Sequence, residues 1–186
     1  MNEVGRSIVL VGMMGAGKSS VGRSLHRRTD MAFLETDEIL ASNFGMSIPL
    51  IFSTHGEKKF RKAETEALQT ISRTKRAVIV TGGGIVLRKE NIEILRRLGL
   101  IVWLDGDEEV LFARASRRTD RPLLQTKSPR EAFSQIFCAR RPLYAQIADI
   151  CLDTSPLTAE EVAMAILSKL RSINLKSGLS VPAIGL

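Results

Sequence analysis

Short apolar runs alternate along this chain with segments whose apolar residues recur at helical spacing. Most of the runs are rich in valine, isoleucine or leucine, and they cover residues 7–11, 32–35, 77–80, 100–105 and 147–153. Such runs are typical of strands buried on both faces, as in a parallel sheet. Between them, pairs such as Val21 and Leu25, or Val162 and Ile166, lie four residues apart, on one face of a helix. The pattern predicts one α/β domain with a five-stranded parallel sheet flanked by helices.

In the middle of the chain, glycine marks the expected helix ends. We expect a short helix over residues 38–44 that stops at Gly45, because glycine is common just past a helix end. A turn is predicted at His55-Gly56. A long helix should follow over residues 57–73, where the apolar residues keep a helical period.

Proline and capping residues mark the last part of the chain. A helix is expected over residues 129–141, ending before Pro142. Residues 158–161, Thr-Ala-Glu-Glu, form a capping box for a final helix. The apolar period is lost from Ser172, so we expect a single domain over residues 1–171 and a loosely ordered tail over residues 172–186.

The strongest local motif directly follows the first strand. Residues 12–19 read Gly-Met-Met-Gly-Ala-Gly-Lys-Ser and match the phosphate-binding pattern G-x-x-x-x-G-K-[ST], in the strand–loop–helix context that it requires. Backbone N–H groups of the loop would bind phosphate oxygens. Lys18 would contact the β- and γ-phosphates, and the Ser19 hydroxyl would ligate Mg²⁺. The ATP-binding candidates are Gly12, Gly15, Ala16, Gly17, Lys18, Ser19 and Ser20.

Polar and glycine residues also follow the other strands. Because ligands of α/β sheets bind at the carboxyl ends of strands, Glu35 and Asp37 should lie near the phosphate loop. On a regular strand these two side chains would share a face. The run Gly82-Gly83-Gly84 suits either a plain turn or a close approach of backbone to ligand. Asp105 either ligates Mg²⁺, as in a Walker B strand, or caps the next helix.

Arginine residues are frequent in the segment 114–129. The segment is either a solvated charged face or a lid that brings an arginine onto the transferring phosphoryl group. In the long central helix, Arg61 and Glu64 are three residues apart, which is close enough for an ion pair.

Composition restricts the classes of function. The 186 residues are 44% hydrophobic and 25% charged, as in soluble globular domains, and no apolar run approaches membrane-spanning length. The net charge of +7 is spread along the chain, which favours small anionic ligands over nucleic acid. Cys138 and Cys151 lack metal-binding spacing, so we expect both to be core residues of a cytoplasmic protein. We expect a monomer with no nucleic-acid or membrane partner.

Five motifs, in order and at matching spacings, resemble those of the shikimate kinases. They extend over roughly residues 7–170 and comprise Met13–Gly22, Phe60-Arg61, Gly82-Gly83-Gly84, Arg121-Pro122-Leu123-Leu124 and Arg140-x-Pro-Leu-Tyr144. The resemblance implies the fold of nucleoside-monophosphate kinases, with a lid at about 114–129 and a substrate-binding region at about 37–64. The implied reaction transfers the γ-phosphoryl group of ATP to the 3-hydroxyl of shikimate. The products would be ADP and shikimate 3-phosphate, on the pathway to chorismate and the aromatic amino acids.

The resemblance also implies roles for individual residues. Asp37 would hydrogen-bond the substrate hydroxyls and act as a base, while Arg114 would lie near the adenine. Mg²⁺ would be bound by Ser19 directly and by Glu35 and Asp37 through water. The catalytic candidates are Lys18, Asp37 and Arg121, and Arg121 would also bind the ATP phosphates. The substrate-binding candidates are Asp37, Arg61, Gly82, Gly83, Gly84 and Arg140, with the two arginines on the shikimate carboxylate.

One position departs from the family pattern, and two alternatives stay open. The family usually has Asp-x-Asp where this chain has Glu35-Thr36-Asp37, and the glutamate is one methylene longer. A gluconate or nucleotide kinase would share the loop and the fold, but would lack this arrangement of Arg61, triple glycine and Arg140. A non-enzymatic relative that binds nucleotide and regulates a partner is favoured by Glu35 alone.

Overall fold

A single parallel sheet forms the centre of the computed structural model, which describes residues 6–72, 74, 76–117 and 121–176. The strands are β1 (Ser7–Gly12), β2 (Ala32–Glu35), β3 (Ala77–Val80), β4 (Gly99–Asp105) and β5 (Ile150–Asp153). Their order in the sheet is β2-β3-β1-β4-β5. The central strand β1 pairs in parallel with β4 over its whole length and with β3 over residues 8–10. The predicted five-stranded parallel sheet is therefore confirmed.

Helices follow the strands along the chain. Short 3₁₀ turns cover Ile85–Leu87 and Pro122–Leu124. The capping box at the last helix is confirmed, because Thr158 N donates to Glu161 Oε2 at 2.8 Å and Glu161 N donates to Thr158 Oγ1 at 3.3 Å. The α-helices of the described residues are α1 (Lys18–Arg27), α2 (Thr36–Phe44), α3 (Ile48–Ile71), α4 (Lys89–Leu98), α5 (Glu108–Ser116), α6 (Pro129–Ile147) and α7 (Ala159–Lys176).

The helices cover both faces of the sheet. Leu10 and Val80 are register partners, and both contact the position where a side chain at Gly22 of α1 would lie. On β4 the register partner of Leu10 is Val102. Trp103 is the next residue, so its side chain points to the opposite face of the sheet, where it stacks on Tyr144 of α6. Because both faces are covered, the strands are apolar at nearly every position, and the carboxyl edge of the sheet is left for ligands.

A second, smaller apolar cluster lies between α2 and α3, outside the main core. Its buried members come from both helices and are Leu40, Ile51, Phe60, Ala63 and Ala67. The cluster falls within the segment 37–67, which largely coincides with the expected substrate-binding region at 37–64. This part of the chain therefore packs around apolar contacts of its own, next to the carboxyl end of β2.

The helix expected over residues 57–73 begins earlier than predicted. The structure has helix from Ile48 onward, and the predicted turn is confined to Gly56 itself, with φ 74° and ψ 165°. Ile51 is fully buried and Phe52 packs beside it in the second cluster, which accounts for a helix where the sequence shows only an apolar run. The helix ends at Ile71, and residue 73, its expected end, lies outside the described residues.

The end of α6 was also predicted wrongly. The helix continues through Pro142 to Ile147, and β5 consequently begins at Ile150 rather than at residue 147. A proline inside a helix removes one backbone hydrogen bond. Burial of Tyr144 and Ile147 on the far side of Pro142 offsets this loss.

Two helix ends lie beyond their expected positions. The second helix begins at Thr36 rather than at residue 38, so Asp37 is in the first turn of α2 and not on a strand with Glu35. The last helix extends to Lys176, past the expected start of the tail at Ser172. The remaining tail residues, 177–186, lie outside the described part of the chain.

The expectation that both cysteines lie in the core is wrong. Cys138 and Cys151 are exposed, the first on α6 and the second on the edge strand β5. An edge strand has a neighbour on one side only, so a small apolar residue there need not be covered. Among the described residues, none of the helices has the length and apolarity needed to cross a bilayer.

Candidate active site

The phosphate loop connects β1 to α1 at the carboxyl edge of the sheet. Gly15 has φ +87°, and a Cβ built on it would lie 2.1 Å from the carbonyl oxygen of Leu111, so only glycine fits there. The loop lines a cavity of about 760 Å³. Because the N-terminus of α1 opens at the loop, its free N–H groups favour an anion. Seven residues of the loop and of the first turn of α1 line this cavity, namely Met14, Gly15, Ala16, Gly17, Lys18, Ser19 and Ser20.

The Lys18 ammonium is held by the backbone of its own loop. Its Nζ donates to the carbonyl oxygen of Gly12 at 2.8 Å and to that of Met13 at 3.0 Å. Desolvation, reinforced by the charge of Arg121, lowers the pKa of Lys18 to about 8, against the opposing effect of Asp37 and Glu35. An anion in the cavity would supply the missing negative charge and stabilise the protonated form.

Glu35 contacts the Ser19 hydroxyl directly. Ser19 Oγ donates to Glu35 Oε1, and Arg23 Nη2 lies 3.4 Å from Glu35 Oε2 and 3.2 Å from Glu38 Oε1. Burial raises the pKa of Glu35, while the hydrogen bond from Ser19 and the charge of Arg23 oppose that shift. The longer side chain of glutamate thus reaches the predicted magnesium ligand, and Arg23 is a neighbour that sequence reasoning missed.

Two carboxylates lie against Gly82, the first glycine of the segment that follows β3. A Cβ built on Gly82 would be 2.9 Å from Asp37 Oδ1 and 2.9 Å from Glu64 Oε1. The Gly82 N–H donates to the buried Thr36 hydroxyl at 3.0 Å, which ties the start of α2 to the end of β3. Burial raises the pKa of Glu64, which is 1% exposed, and the charge of Arg61 opposes this shift. Within the described residues Glu64 Oε1 has no hydrogen-bond partner.

The predicted pair of Arg61 and Glu64 is confirmed, with Arg61 Nη1 2.7 Å from Glu64 Oε2. Arg61 Nη2 also donates to Glu57 Oε1 at 2.9 Å. Its guanidinium group packs on Gly84, where an added Cβ would lie 2.0 Å from Nη1. Desolvation disfavours the charged form of Arg61, but the attraction of Glu64 and the hydrogen bonds to both carboxylates outweigh it and raise its pKa. One face of its guanidinium group lies over the Phe60 ring, at 5.3 Å from the centroid.

Arg140 lies on the other side of the same glycine segment. A Cβ built on Gly83 would be 3.7 Å from Arg140 Nη1. Burial and the nearby charge of Arg61 lower the pKa of Arg140, against the effects of Tyr144 and Glu64. Two arginines with little exposure to solvent therefore lie close enough to repel each other, and a bound carboxylate would relieve that repulsion.

Three arginines in or near α5 line the cavity, namely Arg114, Arg117 and Arg121. Arg114 donates to the carbonyl oxygen of Thr154 from both terminal nitrogens, at 3.1 Å each, and to that of Ser155 at 3.1 Å. These bonds fix the segment between β5 and α7, part of which lines the cavity. Arg121 also lines the cavity, and its buried Nε makes no hydrogen bond within the described residues. Residues 118–120 of the expected lid lie outside the described part of the chain.

Asp105 serves neither of the two roles considered for it. Its carboxylate accepts from Arg141 Nη2 at 2.8 Å and Nε at 3.1 Å, and it does not line the cavity. Asp107, two residues later, caps α5 by accepting from the N–H groups of Glu109 and Val110. Both the magnesium-ligand and the helix-cap interpretations of Asp105 are therefore wrong, since its carboxylate pairs with Arg141 and α5 begins at Glu108 with Asp107 as its cap.

The geometry can be compared with known proteins. A family model described as shikimate kinase matches residues 14–171. A shikimate kinase of Thermodesulfovibrio yellowstonii is 44% identical over 164 residues, which cover 88% of this chain and 94% of that protein. A shikimate kinase of Bordetella pertussis is 40% identical over 169 residues, covering 91% of this chain and 80% of that protein.

The chain belongs to the shikimate kinase family.

Solved structures agree with this assignment. The shikimate kinase of Acinetobacter baumannii, solved in complex with shikimate, superposes with a TM-score of 0.88 at 36% identity, covering 91% of this chain and 95% of that chain. A gluconokinase of Sinorhizobium meliloti has a TM-score of 0.58 at 21% identity, covering 93% of this chain and 97% of that chain. The second likeness shows the shared fold alone. Membership of the shikimate kinase family makes this chain an ATP-dependent phosphotransferase that acts on an alcohol group.

The structure brings together most, but not all, of the residues predicted for a shikimate kinase site. Glu35, Asp37, Gly82, Gly83, Arg114 and Arg121 line the same cavity as the phosphate loop. Four predicted residues lie behind its lining, namely Gly12, Gly84, Arg61 and Arg140. Arg23, Thr36 and Tyr144 contact site residues without having been predicted to do so. Of these, only Tyr144 carried a sequence signal, its place in the motif that contains Arg140.

We predict that nucleotide binding to this chain takes up a proton above about pH 8, because polyphosphate raises the depressed pKa of Lys18. Calorimetric titration of ADP in buffers with different ionisation enthalpies measures the uptake. It should approach one proton per nucleotide near pH 9 and be small at pH 7, where Lys18 is already protonated. Equal uptake at the two pH values would contradict the shifted pKa.

Proposed function

We propose that this shikimate kinase family member phosphorylates the 3-hydroxyl of shikimate with ATP, in a cytoplasmic and monomeric form. The observation that carries the substrate assignment is the pair of arginines, Arg61 and Arg140, on either side of the glycine segment after β3. Two guanidinium groups can bind one carboxylate with directional, charge-assisted hydrogen bonds. The phosphate loop and Arg121 supply the complementary site for the nucleotide.

The nucleotide end of the proposed site stabilises negative charge. Phosphoryl transfer needs positioning and charge stabilisation more than covalent catalysis. Lys18 would exchange its backbone acceptors for the β- and γ-phosphates, since its present partners are neutral carbonyl groups. Arg121, whose buried Nε has no partner in the described structure, would bind the transferring group from the lid at about 114–129. Arg114 would hold the segment before α7 beside the adenine, through its bonds to Thr154 and Ser155.

Shikimate would bind to arginine side chains, one of which, Arg61, is paired with Glu57 and Glu64 in the structure. Glu57 is 54% exposed and can leave Arg61 for solvent at little cost, whereas Glu64 is buried and stays. The carboxylate of shikimate would then replace Glu57 and lie between Arg61 and Arg140. The backbone of Gly82 and Gly83 would contact the ring hydroxyls.

Asp37 is the proposed base. It lines the cavity, and its Oδ1 lies beside Gly82, between the phosphate loop and the glycine segment. A carboxylate in that position can accept the proton of a hydroxyl that attacks the γ-phosphate. Because Asp37 is in the first turn of α2, the hydrogen bond from Gly82 N to Thr36 fixes its position relative to β3.

The residues around Ser19 fit Mg²⁺, which prefers oxygen ligands and keeps several waters. No group of three or more histidine, cysteine, aspartate or glutamate side chains suited to a metal lies within residues 6–72, 74, 76–117 and 121–176. A hydroxyl with one or two carboxylates and substrate phosphates is instead the usual protein share of a magnesium–nucleotide site. Ser19 would ligate the ion, with Glu35 and Asp37 binding its waters. When bound, the ion would neutralise charge on the phosphates.

The direct test of this function is ADP release from ATP and Mg²⁺ over a panel of acceptors. Shikimate should raise the rate, while gluconate and nucleoside monophosphates should leave it at the background of ATP hydrolysis. A rate that rises with gluconate or a nucleotide and not with shikimate would overturn the proposal. ATP binding without turnover of any acceptor would instead support the non-enzymatic alternative.

We predict that truncating Arg140 to alanine weakens shikimate binding by about 2–4 kcal/mol, the usual cost of removing one partner from a buried charge pair. ATP binding should change little, because the residue lies at the glycine segment. Calorimetric titration of each ligand decides between these effects. Arg141→Ala is a matched control, since Arg141 is the next residue, is 54% exposed and pairs with Asp105 instead. An equal loss of both ligands in Arg140→Ala would mean that Arg140 supports the fold.

We further predict that Glu35→Asp changes kcat/KM by less than about tenfold, or ~1.4 kcal/mol, whereas Asp37→Asn loses far more. The first change only shortens a carboxylate that acts on the ion through water. The second removes the proposed base and a substrate contact. Steady-state kinetics of both variants across a magnesium titration measure the difference. Equally mild effects of the two substitutions would show that Asp37 is not the base.

A further inference from the structure

Tyr144 lies directly behind two of the proposed shikimate-binding residues. It is the one tyrosine of the chain, and its side chain is 1% exposed. The ring stacks on Trp103 of β4, with 6.3 Å between centroids. A buried phenol hydroxyl needs a hydrogen-bond partner, so its direction is informative.

The Tyr144 hydroxyl points to the glycine segment. It donates a hydrogen bond to the carbonyl oxygen of Gly83. A Cβ built on Gly83 would lie 3.5 Å from Tyr144 Oη and 3.7 Å from Arg140 Nη1, so both groups flank the same glycine. Burial raises the pKa of Tyr144 to about 12, so the phenol remains a donor at all physiological pH values.

Arg140 lies next to the same hydroxyl, because both groups flank Gly83. Burial and the proximity of Arg61 lower the pKa of Arg140, and the neighbouring Tyr144 hydroxyl opposes that shift. The two side chains are four residues apart on α6, and residues at that spacing share a helix face. This arrangement explains why α6 has to continue past Pro142: a helix that ended there would release Tyr144 from Arg140.

We propose that Tyr144 is a positioning residue for substrate binding, whose hydroxyl holds the Gly83 peptide and the Arg140 guanidinium group in one fixed arrangement. The residue does not line the ligand cavity, so it acts through its two neighbours. The inference rests on the proposed function, since both neighbours are assigned there to shikimate. It predicts an effect on shikimate and none on nucleotide.

Tyr144→Phe tests the proposal, because it removes the hydroxyl and keeps the ring that stacks on Trp103. The Gly83 carbonyl then loses a buried donor, and we expect the dissociation constant for shikimate to rise about tenfold. The dissociation constant for ADP should stay within about twofold of the parent value, as for a residue remote from the nucleotide. The KM for shikimate should rise more than kcat falls, since the interaction is made before the transition state.

Ser24→Ala is the matched control for the loss of a buried hydroxyl. Ser24 is fully buried in α1 and donates to Glu160 at 2.8 Å, at the contact of α1 with α7. The Ser24→Ala variant should have a lower melting temperature than the parent and an unchanged affinity for shikimate. If both variants lost shikimate affinity in proportion to their loss of stability, Tyr144 would be structural only and the proposal would be overturned.

A double-mutant cycle tests the route of the effect. In an Arg140→Ala background, Tyr144→Phe should reduce shikimate affinity markedly less than in the parent, because the guanidinium group that the Tyr144 hydroxyl positions is already absent. Fully additive losses would contradict positioning through Arg140.

A spectroscopic readout keeps the test decisive if Tyr144→Phe does not fold. Since the chain has one tyrosine, biosynthetic incorporation of 3-fluorotyrosine labels this site alone. The single ¹⁹F resonance should shift on addition of shikimate and stay unchanged with ADP. An unchanged resonance, in a protein that calorimetry shows to bind shikimate, would overturn the positioning role. A parent protein that binds no shikimate would overturn the proposed function itself.

Discussion

Mutual compensation of buried charges at the end of β3 is the constraint on which the site depends. Arg61, Glu64 and Arg140 are all largely removed from water, and each would be costly alone. Glu64 balances Arg61, while the two arginines remain close enough to disfavour each other. A carboxylate ligand beside both guanidinium groups would relieve this repulsion between the arginines.

The glycine segment makes this arrangement of charges possible. Asp37 and Glu64 approach Gly82, Arg140 approaches Gly83, and the guanidinium group of Arg61 lies where any side chain at Gly84 would have to be. Three residues without side chains thus allow charged groups from α2, α3 and α6 to converge on one strand end. The neighbouring strand β1 ends in the phosphate loop, so the two proposed ligand sites are adjacent because their strands are paired.

Much of the fold followed from periodicity. The β1–loop–α1 unit combines an apolar run, a phosphate-binding pattern and helical spacing, and these signals agree. The helix from Ile48 and the continuation of α6 past Pro142 did not follow, because tertiary packing of Ile51 and Tyr144 overrides local signals there. The prediction that both cysteines lie in the core failed, since apolar character alone does not show which side of an edge strand or helix is covered.

The candidate site was predictable where residue type determines the chemistry, as for Lys18, Ser19 and the arginines. Contacts that depend on three-dimensional proximity were not predictable. Nothing in the sequence places Arg23 beside Glu35, nor the Tyr144 hydroxyl on Gly83, because each pair is distant along the chain. The prediction that Glu35 and Asp37 share a strand face failed because α2 begins at Thr36, two residues before its expected start, and carries Asp37 in its first turn.

The most direct test of this account is a crystal structure of the chain with ADP, Mg²⁺ and shikimate. The decisive quantities are the distances from the Arg61 and Arg140 guanidinium groups to the nearest carboxylate oxygens. We expect the shikimate carboxylate within hydrogen-bond distance of both arginines, about 2.7–3.2 Å, with Glu57 displaced and Glu64 still paired to Arg61. A shikimate bound with its carboxylate away from both arginines, while Arg61 stays paired with Glu57, would contradict the account.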